Sequence, residues 1–283
     1  MNRSPLRTLL AFMACATLGW AGTAGARSAP QEIPLAPYLG TLVMLDVSSH
    51  GQTEHFLLDT AGGVTVVTPA FAQMSGCKVW GQVTGFRMRG QRLDLPRCDD
   101  VTLEAAGVRL DAPTAAVWDL ASVFPKDAPA LAGSIALDAF AGKLVTLDLG
   151  HQRLIIETAS SLATRIRGAR EIPTHFAREV GGLALTPTVG VETAAGRIWM
   201  ELDSGSDGSV IVNRPLAAAL GLDPTMKGGQ PLNMTLSGGL AVTTRARVED
   251  LILDGNIGLP LLRQWVVTVD LAHQRMWIVP GHS

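Results

Sequence analysis

Part of this chain is written twice, and that limits its possible folds more than any local signal. Residues 144–156, Leu-Val-Thr-Leu-Asp-Leu-Gly-His-Gln-Arg-Leu-Ile-Ile, return at 266–278 as Val-Val-Thr-Val-Asp-Leu-Ala-His-Gln-Arg-Met-Trp-Ile, with eight of thirteen positions identical. In both copies an alternating stretch enters a tight polar turn and leaves along a second strand. A chain with such an internal repeat folds as two similar units, each closed by the same hairpin. His151 and His273 fall in the turns with nothing reactive beside them, so they read as turn residues.

A second pair of matching segments lies upstream. Phe-Leu-Leu-Asp59-Thr60-Ala61-Gly62-Gly63 followed by Val-Thr-Val-Val corresponds to Met-Glu-Leu-Asp203-Ser204-Gly205-Ser206 followed by Asp-Gly-Ser-Val-Ile-Val. Each Asp loop follows an alternating strand and a glycine turn. Each precedes a short helix, with Pro69 or Pro215 in the first turn and Gly76 or Gly221 as the stop. Both units therefore read strand, turn, strand, Asp loop, strand, short helix, further strands and closing hairpin.

Composition agrees. The 283 residues suffice for two ordinary units. Thirty glycines and sixteen prolines against 17% charged residues favour many short strands over long helices. With 47% hydrophobic residues a core is available, which excludes disorder, and a formal charge of −2 leaves no basic surplus for a nucleic-acid partner.

Residues 1–26 have the pattern of a secretory signal peptide. Arg3 and Arg7 precede an apolar run, and Ala24-Gly25-Ala26 supplies the small residues of a cleavage site. The run is short for a bilayer span and no later segment is long enough, so the mature chain is expected in the periplasm or outside the cell, without a membrane span. Cys77 and Cys98 would remain there, and an oxidising compartment favours a disulfide between them. Neither a Cys-x-x-Cys pair nor His-Glu-x-x-His occurs, so no metal or other cofactor is expected.

A single Asp after an apolar strand is ordinarily a turn or cap residue. Two such loops at equivalent places in two equivalent lobes meet at a pseudo-two-fold axis and bring two carboxylates together. At about 3 Å apart such a pair cannot ionise fully and holds one shared proton. The ionised member can then activate a water while the protonated one polarises a carbonyl.

With these residues in view, the chain resembles the pepsin-like aspartic proteases, in a two-lobed bacterial exported form. That family carries Asp-Thr/Ser-Gly plus a small residue in each lobe, and two apolar residues with a glycine beneath each loop. Asp203-Ser204-Gly205-Ser206 matches the first pattern, and Ile257-Gly258-Leu259 supports the second. The resemblance covers nearly all of residues 39–280. It implies an all-β fold with a few short helices, as two similar lobes related by a pseudo-two-fold. It further implies a catalytic dyad of Asp59 and Asp203, with Thr60 and Ser204 bonding across the axis and Ser206 donating to the outer oxygen of Asp203. The expected parts are an N-terminal lobe over 27–157, a connector over 158–181 and a C-terminal lobe over 182–283.

The first lobe departs from the pattern. Ala61 and Gly62 follow Asp59-Thr60, and alignment of the closing hairpins sets Ala136 opposite Gly258. Gly62 offers Asp59 no hydroxyl, so the charge of the pair should rest on Asp203 and the proton on Asp59. The lone tyrosine, Tyr38, precedes the first Asp loop. The candidate flap is therefore residues 80–95, with Gly85 and with Trp80 or Phe86 to cover the site. The first lobe also has about 22 more residues between Asp and closing hairpin than the second, placed near Ala106 to Lys126. The leading expectation is a monomeric endopeptidase that takes an extended peptide or protein substrate between its lobes. The alternative is a non-catalytic relative that binds peptides or an envelope protein in the same cleft. A purely structural envelope protein offers no reason for paired Asp loops.

Overall fold

The computed structural model describes residues 29–281; the leader-like segment 1–26 lies outside them. The strands there form three sheets. Two of them are lobes, and the third is a six-stranded sheet to which both halves contribute.

The third sheet is where the sequence repeat pairs with itself. Leu144–Asp148 and Trp265–Asp270 run antiparallel, with Val145 opposite Val269 and Thr146 opposite Thr268. The two threonine hydroxyls meet at 2.9 Å in the buried centre. This is where a pseudo-two-fold axis has to pass, because Thr146 faces its own counterpart Thr268 and the residues on either side exchange places, Val145 facing Val269 and Leu147 facing Val267. Each hairpin turn is tied by an Asp–His pair, His151 Nδ1 to Asp148 Oδ1 and His273 Nδ1 to Asp270 Oδ2, both 2.8 Å. That contact accounts for the repeated histidines.

The N-terminal lobe is an eight-stranded sheet and the C-terminal lobe a seven-stranded one. Their strands alternate as a half-buried sheet requires. In Leu42–Ser49, for example, Val43, Leu45 and Val47 are fully buried, each worth roughly 1.5–3 kcal/mol in removal from water. Inside each lobe the chain crosses itself in the same way. Gln52–Leu58 runs parallel to Gly133–Ile135, which in turn pairs antiparallel with Val66–Val67. In the second lobe Gly196–Asp203 runs parallel to Gly255–Gly258, and that strand pairs antiparallel with Val210–Asn213. Each Asp loop is therefore the exit of a central strand, held on both sides.

Several boundaries differ from the sequence reading. The connector is structured: Ala159–Arg165 is a helix with a Thr158 capping box, Arg170–Glu171 joins the shared sheet, and Thr174–Ala177 belongs to the second lobe. After the Asp loops, Pro69–Met74 is an α-helix capped by Thr68, whereas around Pro215 there are two 3-10 turns, Arg214–Leu216 and Ala218–Leu220. The extra length of the first lobe is not one insertion at 106–126. Strand Val108–Val117 there has a counterpart, Leu240–Glu249, in the second lobe. The surplus divides between the hairpin at 80–95 and the loop at 118–132. Tyr38 secures that loop, donating its hydroxyl to Pro129 O at 2.9 Å and meeting Phe124 edge-on. No helix among the described residues is long and apolar enough to cross a membrane.

Candidate active site

Asp59 and Asp203 leave their strands facing one another. The loops are bolted together by four hydrogen bonds that the pseudo-symmetry repeats. Thr60 Oγ1 donates to Leu202 O at 2.6 Å and accepts from Ser204 N at 3.0 Å. Ser204 Oγ donates to Leu58 O at 2.7 Å and accepts from Thr60 N at 3.0 Å. All four are buried, so every donor and acceptor of the two hydroxyl residues is used inside the protein. A small residue is needed beside each carboxyl. A Cβ built on Gly205 would lie 2.8 Å from Asp59 Cγ, so glycine there lets the two aspartates approach across the axis.

Asp203 is buried and Asp59 keeps some exposure. The two carboxyls are near enough to act on one another's ionisation. Burial and the charge of Asp203 push Asp59 up to about 8. Burial raises Asp203 too, but Asn256, the Gly205 N–H and the protonated Asp59 all donate to it and hold it below its partner. Gly205 N is 2.8 Å from Asp203 Oδ1 and Asn256 Nδ2 is 2.6 Å from Oδ2, whereas Asp59 receives the Ala61 N–H at 3.1 Å. The more richly bonded carboxyl ionises first. The larger number of donors on Asp203 favours the charge there and the proton on Asp59, as the sequence leads one to expect.

The outer-oxygen donor is Asn256, which corrects the assignment to Ser206. The Ser206 side chain is buried beside Gly258, with its Cβ 3.1 Å from where a Gly258 Cβ would stand. Asn256 reaches Asp203 from the parallel strand, diagonally across one pleat. It occupies a position beneath the loop where an apolar residue is expected. That polar residue inside Gly-Asn-Ile-Gly was the available sequence signal.

The sequence reading also passed over Glu201. Met200 and Leu202 point into the lobe core, so Glu201 and Asp203 share the opposite face of their strand. Burial, then the charges of Asp203, Asp59 and Glu179, push Glu201 up to about 8. A third acid, Asp138, is fully buried beneath the first loop. It accepts from Thr65 Oγ1 at 2.7 Å and Thr65 N at 3.0 Å, and burial holds it near 6 against those donors. It anchors the loop and faces no substrate.

Residues 80–95 form a hairpin, Trp80–Phe86 pairing with the start of Arg92–Ala105. The Cys77–Cys98 disulfide ties its base, and closing a loop of 21 residues is worth about 3 kcal/mol against the unfolded chain. Val83 packs on Val64 and Ala184, and the tip lands on the other lobe. There Ile252 N donates to Met88 O at 3.0 Å and Arg89 pairs with Glu249 at 2.6 Å. The hairpin thus spans the space between lobes. Trp80 and Phe86 do not cover the dyad: they are 56% and 58% exposed. Trp80 instead donates to Asp99 at 2.9 Å under the Arg97 guanidinium, and Gly85 is a strand residue opposite Leu93. Among the described residues no cluster of His, Cys, Asp or Glu has metal-binding geometry.

Two mostly-β lobes around a shared sheet, with paired Asp loops on their axis, define the pepsin-like fold. The comparison with solved structures agrees. Basic 7S globulin from soybean, a protein of that fold, superposes with a TM-score of 0.59 over 89% of this chain and 95% of its own, at 9% identity. An identity that low shows the fold alone. No family model matches the sequence. No curated protein matches it either.

Proposed function

We propose that the protein is an exported aspartic endopeptidase that hydrolyses peptide bonds with water activated by Asp59 and Asp203. One observation carries this reading: two carboxyls brought together on an axis fixed by the Thr60–Ser204 bonds, an arrangement in which they can share one proton. Asp203, ionised, takes a proton from the attacking water, and Asp59, protonated, donates to the substrate carbonyl oxygen. The resulting tetrahedral diol collapses as a proton passes to the leaving nitrogen, giving a carboxylic acid and an amine, and the pair again holds one proton. No covalent intermediate is needed. The alkaline limit is set by Asp59 near 8 and the acid limit by protonation of Asp203. Activity should therefore fall above about pH 8 and, on the acid side, below an Asp203 value that burial holds above the ordinary carboxylate range. The leader-like residues 1–26 and the disulfide support export to an oxidising compartment, periplasmic or extracellular. Both halves of the site lie in one chain, which supports a monomer.

A second reading is the same fold used for binding without catalysis. The likeness to a globulin and the hairpin bonded across the cleft favour it. One experiment separates the two: digestion of unfolded casein from acid to neutral pH by the leaderless protein, beside Asp59→Asn and Asp203→Asn. The protease reading expects cleavage that falls by about 10³-fold or more in each variant, because neither asparagine can exchange the shared proton. A folded wild type that cuts nothing, or a variant that cuts equally well, overturns it.

A further inference from the structure

Glu201 is a carboxyl in the cleft that the water chemistry does not use. It lies two residues before Asp203 on the same strand face, half-buried, and close enough to Asp203 and Asp59 to feel both charges. Among the described residues it accepts no hydrogen bond and joins no ion pair; only burial and other acids act on it. Its cross-strand neighbour, Asn256, is fully buried, with its amide on the dyad side and Oδ1 without any donor. Asn256 is sealed inside, so Glu201 is the partly exposed acceptor of the pair. The corresponding position of the first lobe is Leu57, two residues before Asp59, buried and paired in register with Ser134. The strand position beside the dyad is thus apolar in one lobe and acidic in the other.

We propose that Glu201 selects substrates carrying a basic side chain, lysine or arginine, on one side of the scissile bond, with an apolar side chain on the Leu57 side. The inference rests on the protease reading and adds to it the substrate class. A bond lying over the dyad places its two flanking side chains toward opposite lobes, so only one faces Glu201. An ammonium or guanidinium there brings several N–H donors and a positive charge to a carboxyl that has neither. Such a partner also favours the ionised form of Glu201, against the surrounding negative charge.

The test uses paired peptides that differ only in lysine or norleucine, placed before or after the cut. The same pairs are also made with a reduced, uncleavable bond. The wild type should favour lysine by at least about tenfold in kcat/KM at one flanking position and not the other. Glu201→Gln, with the same shape and no charge, should still cut the norleucine peptide and lose the preference. Cleavage without a lysine preference, or a preference kept in Glu201→Gln, overturns the inference and leaves the protease reading intact. If nothing is cut, binding of the reduced-bond peptides decides. Tighter binding of the lysine form that Glu201→Gln abolishes upholds the recognition while the protease reading falls, and equal binding overturns both.

Discussion

In the second lobe Ser206 sits above Gly258, and a Cβ on Gly258 would lie 2.0 Å from Gly208 O and 3.1 Å from Ser206 Cβ. In the first lobe Gly62 sits above Ala136, and a Cβ on Gly62 would lie 3.2 Å from Asp59 Cγ and 3.4 Å from Ala136 Cβ. The second lobe carries its Cβ on the loop residue and the first on the strand residue; a Cβ added at Gly258 would strike backbone first, and one added at Gly62 would crowd the Asp59 carboxyl before it touched Ala136. Ala136 is accommodated beneath a loop residue that has no Cβ of its own. The exchange has a chemical consequence as well. The donor to Asp203 comes from Asn256 below the loop, and its in-register counterpart in the first lobe, Ser134, has no such bond to Asp59. One packing problem, solved in two ways, accompanies an unequal pair of acids.

The hardest test of this comparison is Gly258→Ala. Its methyl would meet backbone on a fully buried strand, so the variant should lose about 3 kcal/mol or more, or fail to fold. Ala136→Gly should cost only about 1 kcal/mol, the flexibility added to the unfolded chain and a small lost contact. Gly62→Ser should be damaging alone, because its Cβ crowds the Asp59 carboxyl, and only partly relieved by Ala136→Gly. Urea unfolding of the four variants gives the coupling directly. If Gly258→Ala is as mild as Ala136→Gly, the reciprocal allocation is wrong.

The second test addresses the acids and works on a smaller scale. Asn256→Leu keeps the volume roughly, removes the donor to Asp203 and also removes a buried acceptor without a partner. Loss of a donor to the charged form raises the pKa of Asp203. The one-proton state then begins at higher pH, and the acid limb of the kcat/KM profile should move up by about one unit. Stability at neutral pH should fall by about the 1.4 kcal/mol that a one-unit rise in Asp203 carries, offset in part because the orphaned oxygen disappears with its desolvation cost. An unmoved acid limb would show that Asn256 does not set the ionisation of Asp203.

What was legible in the sequence follows from what is local. The repeated hairpins, the strand alternation and the two Asp-Thr/Ser loops can be read within a dozen residues each, because period and turn chemistry are short-range properties. The six-stranded sheet was not read from the sequence, because the matching hairpins were assigned one to each lobe and their pairing with one another is a long-range contact. Asn256 was harder to find, because it meets Asp203 only through a parallel pairing between strands 53 residues apart. Glu201 was in plain view two residues before Asp203 but was given no role. Its acidity becomes visible only when the other lobe delivers Asp59. The surplus length was misplaced because counting residues cannot say which strands have counterparts.

The smallest expected effect concerns the hairpin at 80–95, which the second lobe lacks entirely. In its place the second lobe has only the short link between the turn at Ala218–Leu220 and strand Gln230–Leu236. The hairpin is held at its base by the disulfide and at its tip by one backbone bond and the Arg89–Glu249 pair, whose side chains are 45% and 23% exposed. An ion pair at that exposure contributes at most about 1 kcal/mol and weakens with salt. For substrate to enter, the tip must leave Ile252 and Glu249 while the base stays tied. Arg89→Ala should therefore leave folding untouched and raise kcat/KM by about two- to threefold on a large unfolded substrate. The gain on a short peptide should be smaller, because a short peptide needs less opening. Wild type should approach the variant as salt rises, and the variant should respond less to salt. Equal salt responses would mean that the tip contact does not gate the cleft. The asymmetry between lobes would then lie in the acids alone.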